Sequence, residues 1–404
     1  MRRENRRKPT HRQKTRNSGL GFVTPECEPF FWPAMSNVRT ARWLSMTGSI
    51  AAALLLGLFC VLSVSGAIQL SSSDIIYVVS NDLAPLARED FGPSMVLVPS
   101  LHGTDTPVAV MVENHIDSRP SVGLDAARVV YEAPAEGGIT RFLAIFSLAA
   151  VPHKIGPVRS VRPYYIDWAE EWGATLFHSG GSPEALKKLK TIDLPNINEI
   201  SADGRYFWRD DTQVRPHNLY TSGEHMQEAF AHYELPTSVD FLAYPTSAEL
   251  LVGERPAAHP VVRITFSDSN YCVGYRYEPA VNAYERWLGG IPQATADGAA
   301  IYAKTVVVQA ITSQVLDREG RLRMNLDDGG VAMVFTNAKV YVAEWRRQDE
   351  KTMYVDENEN QIPFADGPVW ITVVPDISVV VVAPSAVLPP RSESWDVDFS
   401  LGCD

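Results

Sequence analysis

Apolar and polar positions along this chain follow three different rhythms. From Trp43 to Ser73 no side chain is charged, and within that stretch Thr47–Ala67 reads TGSIAAALLLGLFCVLSVSGA. As a helix, such a run spans about 31 Å, the thickness of a bilayer's hydrocarbon core. Beyond it, residues 70–104 are polar and punctuated by proline, the pattern of a tether. From Pro107 the rhythm mixes buried-strand runs with helical spacing. Val108–Val112, Arg128–Glu132 and Ile139–Leu148 read as strands, the last entered through a Gly-Gly turn. Ser160 to Gly173 reads as a helix, with Ser160 as N-cap and Tyr164, Tyr165, Trp168 and Trp172 at helical intervals. Ala174–His178 is a further strand. Ser182 can cap the next helix, which has Pro183 at its first position and runs to Lys190. A last helix, Ser222–Tyr233, closes this lobe.

Near residue 247 the pattern changes again. Val261–Phe266, Tyr271–Tyr277, Tyr284–Leu288, Ala303–Val315, Val331–Thr336, Lys339–Trp345, Met353–Val355 and Val369–Val374 all favour strand. Turn residues separate them, such as Gly289-Gly290, Asp297-Gly298, Glu319-Gly320 and Asp328-Gly329. Many short, evenly spaced strands indicate an antiparallel sheet or a partly closed barrel. The fold class is therefore α+β: a mixed α/β N-terminal lobe and a mostly antiparallel β C-terminal lobe, after one N-terminal transmembrane helix. The boundaries are 1–42 for a basic cytoplasmic tail, 43–69 for an anchor or signal sequence and 70–104 for the tether. The α/β ligand-binding lobe occupies 105–246, the β-rich domain 247–385, and an acidic, proline-containing tail 386–404.

Charge orients this plan. Residues 1–42 hold ten Lys/Arg and three Asp/Glu, a net of +7; against the total of −12, the remaining chain carries −19. A basic arm alone would suit nucleic acid. Beside an uncharged apolar span it instead places the N-terminus in the cytoplasm and residues after about 70 outside. Ser65-Gly66-Ala67 resembles a signal-peptidase site, and a start at Met35 would leave a compact leader, with residues 1–34 a misassigned start. Each variant exports the remainder. Four cysteines are present, and only Cys272 and Cys403 lie outside; no spacing marks a disulfide framework, so they read as unpaired or as one minor staple. Neither a zinc motif nor a Gly-x-Ser-x-Gly elbow occurs, so no metal and no cofactor are expected, and nothing points to a standard serine hydrolase.

Four segments carry candidate chemistry. Lys154-Ile155-Gly156-Pro157-Val158-Arg159-Ser160-Val161-Arg162 sets a rigid turn before a helix start, where free N–H groups and forked guanidinium donors attract anions. An internal Asp or Glu would satisfy Arg159 and Arg162 equally well. Phe177-His178-Ser179-Gly180-Gly181-Ser182 is a strand, a glycine turn and a capped helix, able to wrap an anion or to serve merely as a tight turn. Glu136-Gly137-Gly138-Ile139-Thr140-Arg141 sets a carboxylate and a guanidinium across a turn. Arg215-Pro216-His217-Asn218, with Arg209 just before, presents His217 and Asn218 from a stiffened loop. Glu136, His178 and His217 are the candidate acid–base groups. A lone loop histidine is also commonly a hydrogen-bonded structural residue.

Together these segments, PVAVMVENHIDSRPSVGLDAARVVYEAPAEGGITRFLAIF, KIGPVRSVRPYYIDWA, FHSGGSP and PHNLYTS, resemble the YerB-like bacterial lipoprotein family, which carries domain of unknown function 3048. The stretch from GGVAMVF through AEWRR to YVDENENQIPFADGPVWITVVP is similar to that family's C-terminal domain. The resemblance covers roughly residues 105–375 and implies an exported, membrane-attached, two-part protein with no established reaction. Two departures stand out. Phe59 precedes Cys60 where a lipobox needs a small residue, which favours a protein anchor or cleavage over lipid at Cys60. Gly290-Ile291-Pro292-Gln293-Ala294-Thr295 replaces a Pro-His-x-Asp-like element of relatives.

The leading reading is an extracytoplasmic module, single-pass in a bacterial membrane, that binds an anionic envelope ligand or an envelope protein and no nucleic acid. Arg141, Arg159, Ser160, Arg162, Gly180, Gly181, Ser182, Arg209, His217 and Asn218 would form the site. The alternatives are a metal-independent envelope-polymer hydrolase or transferase using Glu136 and His217, and an architectural scaffold for wall-synthesis proteins.

Overall fold

The structure is a computed structural model that describes residues 100–101, 105–237, 244–257 and 259–383. The expected membrane span at 47–67, the basic tail, nearly all of the tether and the acidic end lie outside those residues. Among the described residues, no helix is long and apolar enough to cross a membrane.

The molecule is mostly β with few helices. In chain order the main strands of its two large sheets, apart from the two-residue strands Ile291–Pro292 and Tyr302–Ala303, are β1 (Pro107–Glu113), β2 (Val129–Pro134), β3 (Thr140–Ser147), β4 (Thr175–His178), β5 (Asn196–Asn198), β6 (Val261–Thr265) and β7 (Cys272–Glu278). They continue with β8 (Ala283–Leu288), β9 (Thr305–Ala310), β10 (Gly330–Thr336), β11 (Lys339–Gln348), β12 (Lys351–Val355), β13 (Val369–Val374) and β14 (Val380–Ala383). The helices are α1 (Pro163–Glu171), α2 (Pro183–Lys188) and α3 (Gly223–Tyr233). The first sheet has ten strands in the order β12-β11-β10-β9-β13-β2-β3-β1-β4-β5. The second is antiparallel throughout, with β8-β7-β6-β14 as its body and Ile291–Pro292 on its edge.

Strands from both halves of the sequence thus share one sheet. Its seam is parallel: Val129, Val130, Tyr131 and Glu132 of β2 stand beside Val369, Trp370, Ile371 and Thr372 of β13. Both faces are covered, which explains why β1 and β13 are continuous apolar runs rather than alternating ones. On one face Ala109, Met111, Tyr131, Leu143 and Ile371 pack with Tyr165 and Trp168 of α1. On the other, Val110, Val112, Phe142, Phe146 and Trp370 pack with Met226 and Phe230 of α3 and with Ile264, Val273 and Tyr275 of the second sheet. Period-two alternation assigns each strand residue to one layer or the other.

The helix expected from Ser160 begins instead at Pro163, with Arg162 as an N-cap that makes no side-chain capping bond. Ser160 Oγ donates to the Ser179 carbonyl, so the hydroxyl is withdrawn from capping. Ser182 and Ser222 do cap α2 and α3, accepting from the amides of Ala185 and His225. Cys272 is disulfide-bonded, so it is not the free thiol that one of the two sequence readings allowed.

Candidate functional site

The segment Ile155–Val161 lies across the C-terminal end of β1 and fixes everything around it. Glu113 N donates to Pro157 O at 2.9 Å, Arg159 N to Met111 O at 2.9 Å and Val158 N to Leu219 O at 2.7 Å. Ser179 N in turn donates to Arg159 O at 3.0 Å. Gly156 makes the approach possible: at φ +147°, a Cβ there would stand 2.8 Å from Leu219 O. The peptide bonds Arg119–Pro120, Gly156–Pro157 and Arg215–Pro216, all in loops about this end of the sheet, are cis.

The strapping delivers Arg159 and His217 to the same carboxylate. Arg159 Nε lies 3.1 Å from Glu113 Oε1, and His217 Nδ1 lies 3.0 Å from Glu113 Oε2. Glu113 itself is buried, while the Arg159 side chain is 29% exposed and that of His217 15%. Among the described residues, Glu113 is the one partner of the Arg159 side chain, which completes no well-aligned hydrogen bond. His217 stacks on His115, with ring centroids 4.9 Å apart and planes inclined by 20°.

The other expected residues have different positions. Arg162 Nε donates to Glu136 Oε1, and Arg141 Nη2 lies 3.7 Å from Glu136 Oε2, so these three form a closed charge group. Burial works to raise the Glu136 carboxyl, but the Arg162 hydrogen bond and the two guanidinium charges outweigh it and hold the group below its ordinary value. That environment makes Glu136 a poor proton acceptor or donor near neutrality. Arg141 also donates through Nη1 to the Ser160 carbonyl at 2.7 Å.

The glycine turn is largely self-satisfied. Gly180 N donates to Asn198 Oδ1 at 2.8 Å, and Ser182 N donates to Val161 O at 3.2 Å. His178 is fully buried, with Nδ1 2.7 Å from Gly180 O and Nε2 3.3 Å from Asn196 Oδ1. Burial pushes its imidazole below the ordinary value, as for a histidine that stays neutral. Arg209 reaches Asn218 Oδ1 at 3.0 Å and Glu199 Oε1 at 3.4 Å, and Glu199 also accepts from Ser179 Oγ at 2.8 Å. The structure therefore joins Arg159 with His217, and Arg141 with Arg162 and Glu136. Among the described contacts, neither Glu136 nor His178 touches His217.

Sequence reading passed over Glu113, His115 and Asp117. The available signal was Glu113-Asn114-His115, three polar residues closing an otherwise apolar strand. It also passed over an open polar cleft of about 540 Å³ lined by Asp167, Lys188, Arg323, Asn325 and Arg347, among others. Lys188 and Arg347 there already lie against Asp167.

On the opposite face of the same strand ends sits a second carboxylate. Glu132 Oε1 accepts from Thr140 Oγ1 at 2.8 Å and Asn114 Nδ2 at 3.3 Å, and Oε2 accepts from Arg286 Nη2 at 2.6 Å. Arg286 is fully buried in the second sheet, donates also to Gln293 Oε1 and Tyr275 Oη, both at 2.6 Å, and lies over the Trp370 ring. Gln293 is thus a ligand of the buried guanidinium.

Comparison with known proteins agrees with this architecture. Residues 98–235 match the N-terminal domain, and residues 262–371 the C-terminal domain, of the family described as Protein of unknown function (DUF3048). A Bacillus subtilis (strain 168) protein named "Putative lipoprotein YerB" is 32% identical over 277 residues, covering 67% of this chain and 82% of the relative. The crystal structure of YerB protein from Bacillus subtilis superposes with a TM-score of 0.64 at 29% identity, covering 70% of this chain and 94% of that one.

Proposed function

The chain belongs to the DUF3048 family, and from that premise we propose that it is a membrane-anchored extracytoplasmic module that binds an anionic envelope ligand at the Arg159–Glu113–His217 corner. The observation that carries this reading is the state of Arg159. Arg141 and Arg162 are closed on Glu136, whereas Arg159 is partly open and, among the described residues, has Glu113 alone, which it shares with His217. A guanidinium pinned along one edge keeps a fork of donors for a carboxylate or phosphate. The net charge of −19 after residue 42 makes a local cationic group stand out against its surroundings. Export and anchoring rest on the uncharged span at 47–67, on the basic residues before it, and on the relative named as a lipoprotein.

The scaffold reading is favoured for Arg141, Arg162 and Arg209, which meet internal acids. The hydrolase reading loses support, because Glu136 is held by two arginines and His178 is sealed. The test is a thermal-shift screen of the full chain in detergent with chelator present, against muropeptides, teichoic-type glycerol-phosphate oligomers and sugar phosphates. Stabilisation of the wild type by one class, lost in Arg159→Ala, is the expected outcome. A flat panel for both proteins would sink the anion reading.

A further inference from the structure

We propose that His115, Asp117 and His217 form a binding site for one divalent transition-metal ion of the zinc class, a site that stands on its own geometry whether or not an anion binds at Arg159. The donor atoms of the three side chains all lie within 4.8 Å of one another. His115 Nδ1 and Asp117 Oδ2 are 3.6 Å apart. That is close to the separation of two ligands each about 2.1 Å from one ion at an angle of about 110–120°. Two such ligands stand at most about 4.2 Å apart, so the widest pair must close by roughly half an ångström, and the stacked His115 and His217 rings must turn about their side-chain bonds until both in-plane lone pairs meet at one ion.

The surroundings hold the donors in place. His115 follows β1 by two residues, and its carbonyl accepts from Ser118 N at 2.9 Å and Ser118 Oγ at 2.6 Å. This single tight turn folds Asp117 back beside the His115 ring. The Asp117 amide donates to His115 Nδ1 at 3.2 Å, a long bond that a metal at that nitrogen would replace. His217 N is held by Val214 O at 2.9 Å. Most informative is Glu113. With its oxygen 3.0 Å from His217 Nδ1, it selects the tautomer in which Nδ1 carries the proton and Nε2 offers its lone pair. A metal-bound histidine is oriented by a carboxylate in this way. Arg159 meets the other oxygen of Glu113, so the carboxylate stands between the guanidinium and the three donors.

Two imidazoles and one carboxylate suit Zn²⁺, Fe²⁺ or Co²⁺ rather than Ca²⁺ or Mg²⁺, which prefer oxygen alone. Three protein donors leave at least one coordination position for water or a ligand oxygen. Asp117, with its side chain 70% exposed, opens the set to solvent, while both histidines are better covered.

The experiment uses the full chain in detergent, stripped with chelator and then titrated with ZnCl₂ against a chromophoric competitor, with CoCl₂ as the optical probe. The wild type should retain about one more zinc equivalent than the His115→Ala/Asp117→Asn double variant. Cobalt should give visible absorption that His115→Ala removes. Glu113→Gln should weaken zinc about 10–100-fold, as loss of an orienting carboxylate does. Asp117→Asn alone, on an exposed side chain, should also weaken zinc retention without touching the core. Equal zinc retention by the wild type and the double variant, or a cobalt spectrum indifferent to His115→Ala, would overturn the proposal.

Discussion

Glu113 closes β1 and Glu132 stands two residues before the end of β2; both strands pair with β3 and both carboxylates are buried, yet they are placed in opposite circumstances. Glu132 points into the layer between the two sheets, where it receives Thr140, Asn114 and a fully buried Arg286. Every partner there is sealed, and Arg286 carries further bonds to Gln293 and Tyr275. Glu113 lies one residue from Asn114 and therefore projects to the other face, where its partners Arg159 and His217 retain contact with solvent. A saturated network of that kind specifies how two sheets dock. A carboxylate whose partners remain partly open can be approached from outside. Position along the strand, not residue type, separates a sealed charge from an approachable one.

The sharpest way to break this comparison is at the sealed knot. Arg286→Met should cost about 3–5 kcal/mol by chemical denaturation, because it leaves Glu132 buried and uncompensated. Adding Glu132→Gln should recover part of that loss, since both charges are then gone. Recovery of nothing would mean that Arg286 acts by packing against Trp370 and Phe142 alone.

A third buried carboxyl sharpens the contrast by pH. Glu171 accepts from Thr352 Oγ1 at 2.8 Å and has Arg347 Nε only at 3.6 Å. Burial pushes its pKa up to about 8. Raised in the folded state, this group binds more protons there than when unfolded. Its contribution is fully present below the ordinary carboxylate value, near 4.5, and is lost as pH rises through about 8. Stability should therefore fall by an amount on the order of 5 kcal/mol over that window. Glu171→Gln should flatten the slope, and an unchanged slope would show that the carboxyl is ionised in the fold.

Smaller effects are expected at the open corner. Glu113→Gln should cost about 1–2 kcal/mol, because Arg159 and His217 can turn to water. At the closed Glu136 group, Arg162→Ala should cost about 1–2 kcal/mol, since Glu136 keeps Arg141. A loss at Glu113 as large as that at Arg286 would erase the distinction between the two carboxylates.

Much of the fold was legible where local chemistry is strong. Val108–Val112 and Ile139–Leu148 were visible as apolar runs, Trp168 by helical spacing, and the caps Ser182 and Ser222 by residue type. Asn196–Asn198, three residues with little apolar pattern, gave no strand signal. The seam between Val129 and Val369 joins positions far apart in sequence, and no local pattern encodes a parallel partner at that range. The site divides in the same way. Arg159 and His217 were legible within their motifs, but the carboxylate that unites them is 104 residues from His217. For Arg162 the sequence leaves a ligand and an internal acid equally open, and Glu136, 26 residues away, lies against it.

The most direct test of the account measures Arg159→Ala on two axes at once, folding stability by denaturation and binding of the anionic panel by thermal shift. The account predicts a change in stability of no more than about 1 kcal/mol, because Arg159 is a partly exposed partner, together with loss of ligand stabilisation. Unfolding of the variant, or retained stabilisation by the same ligand, would contradict it.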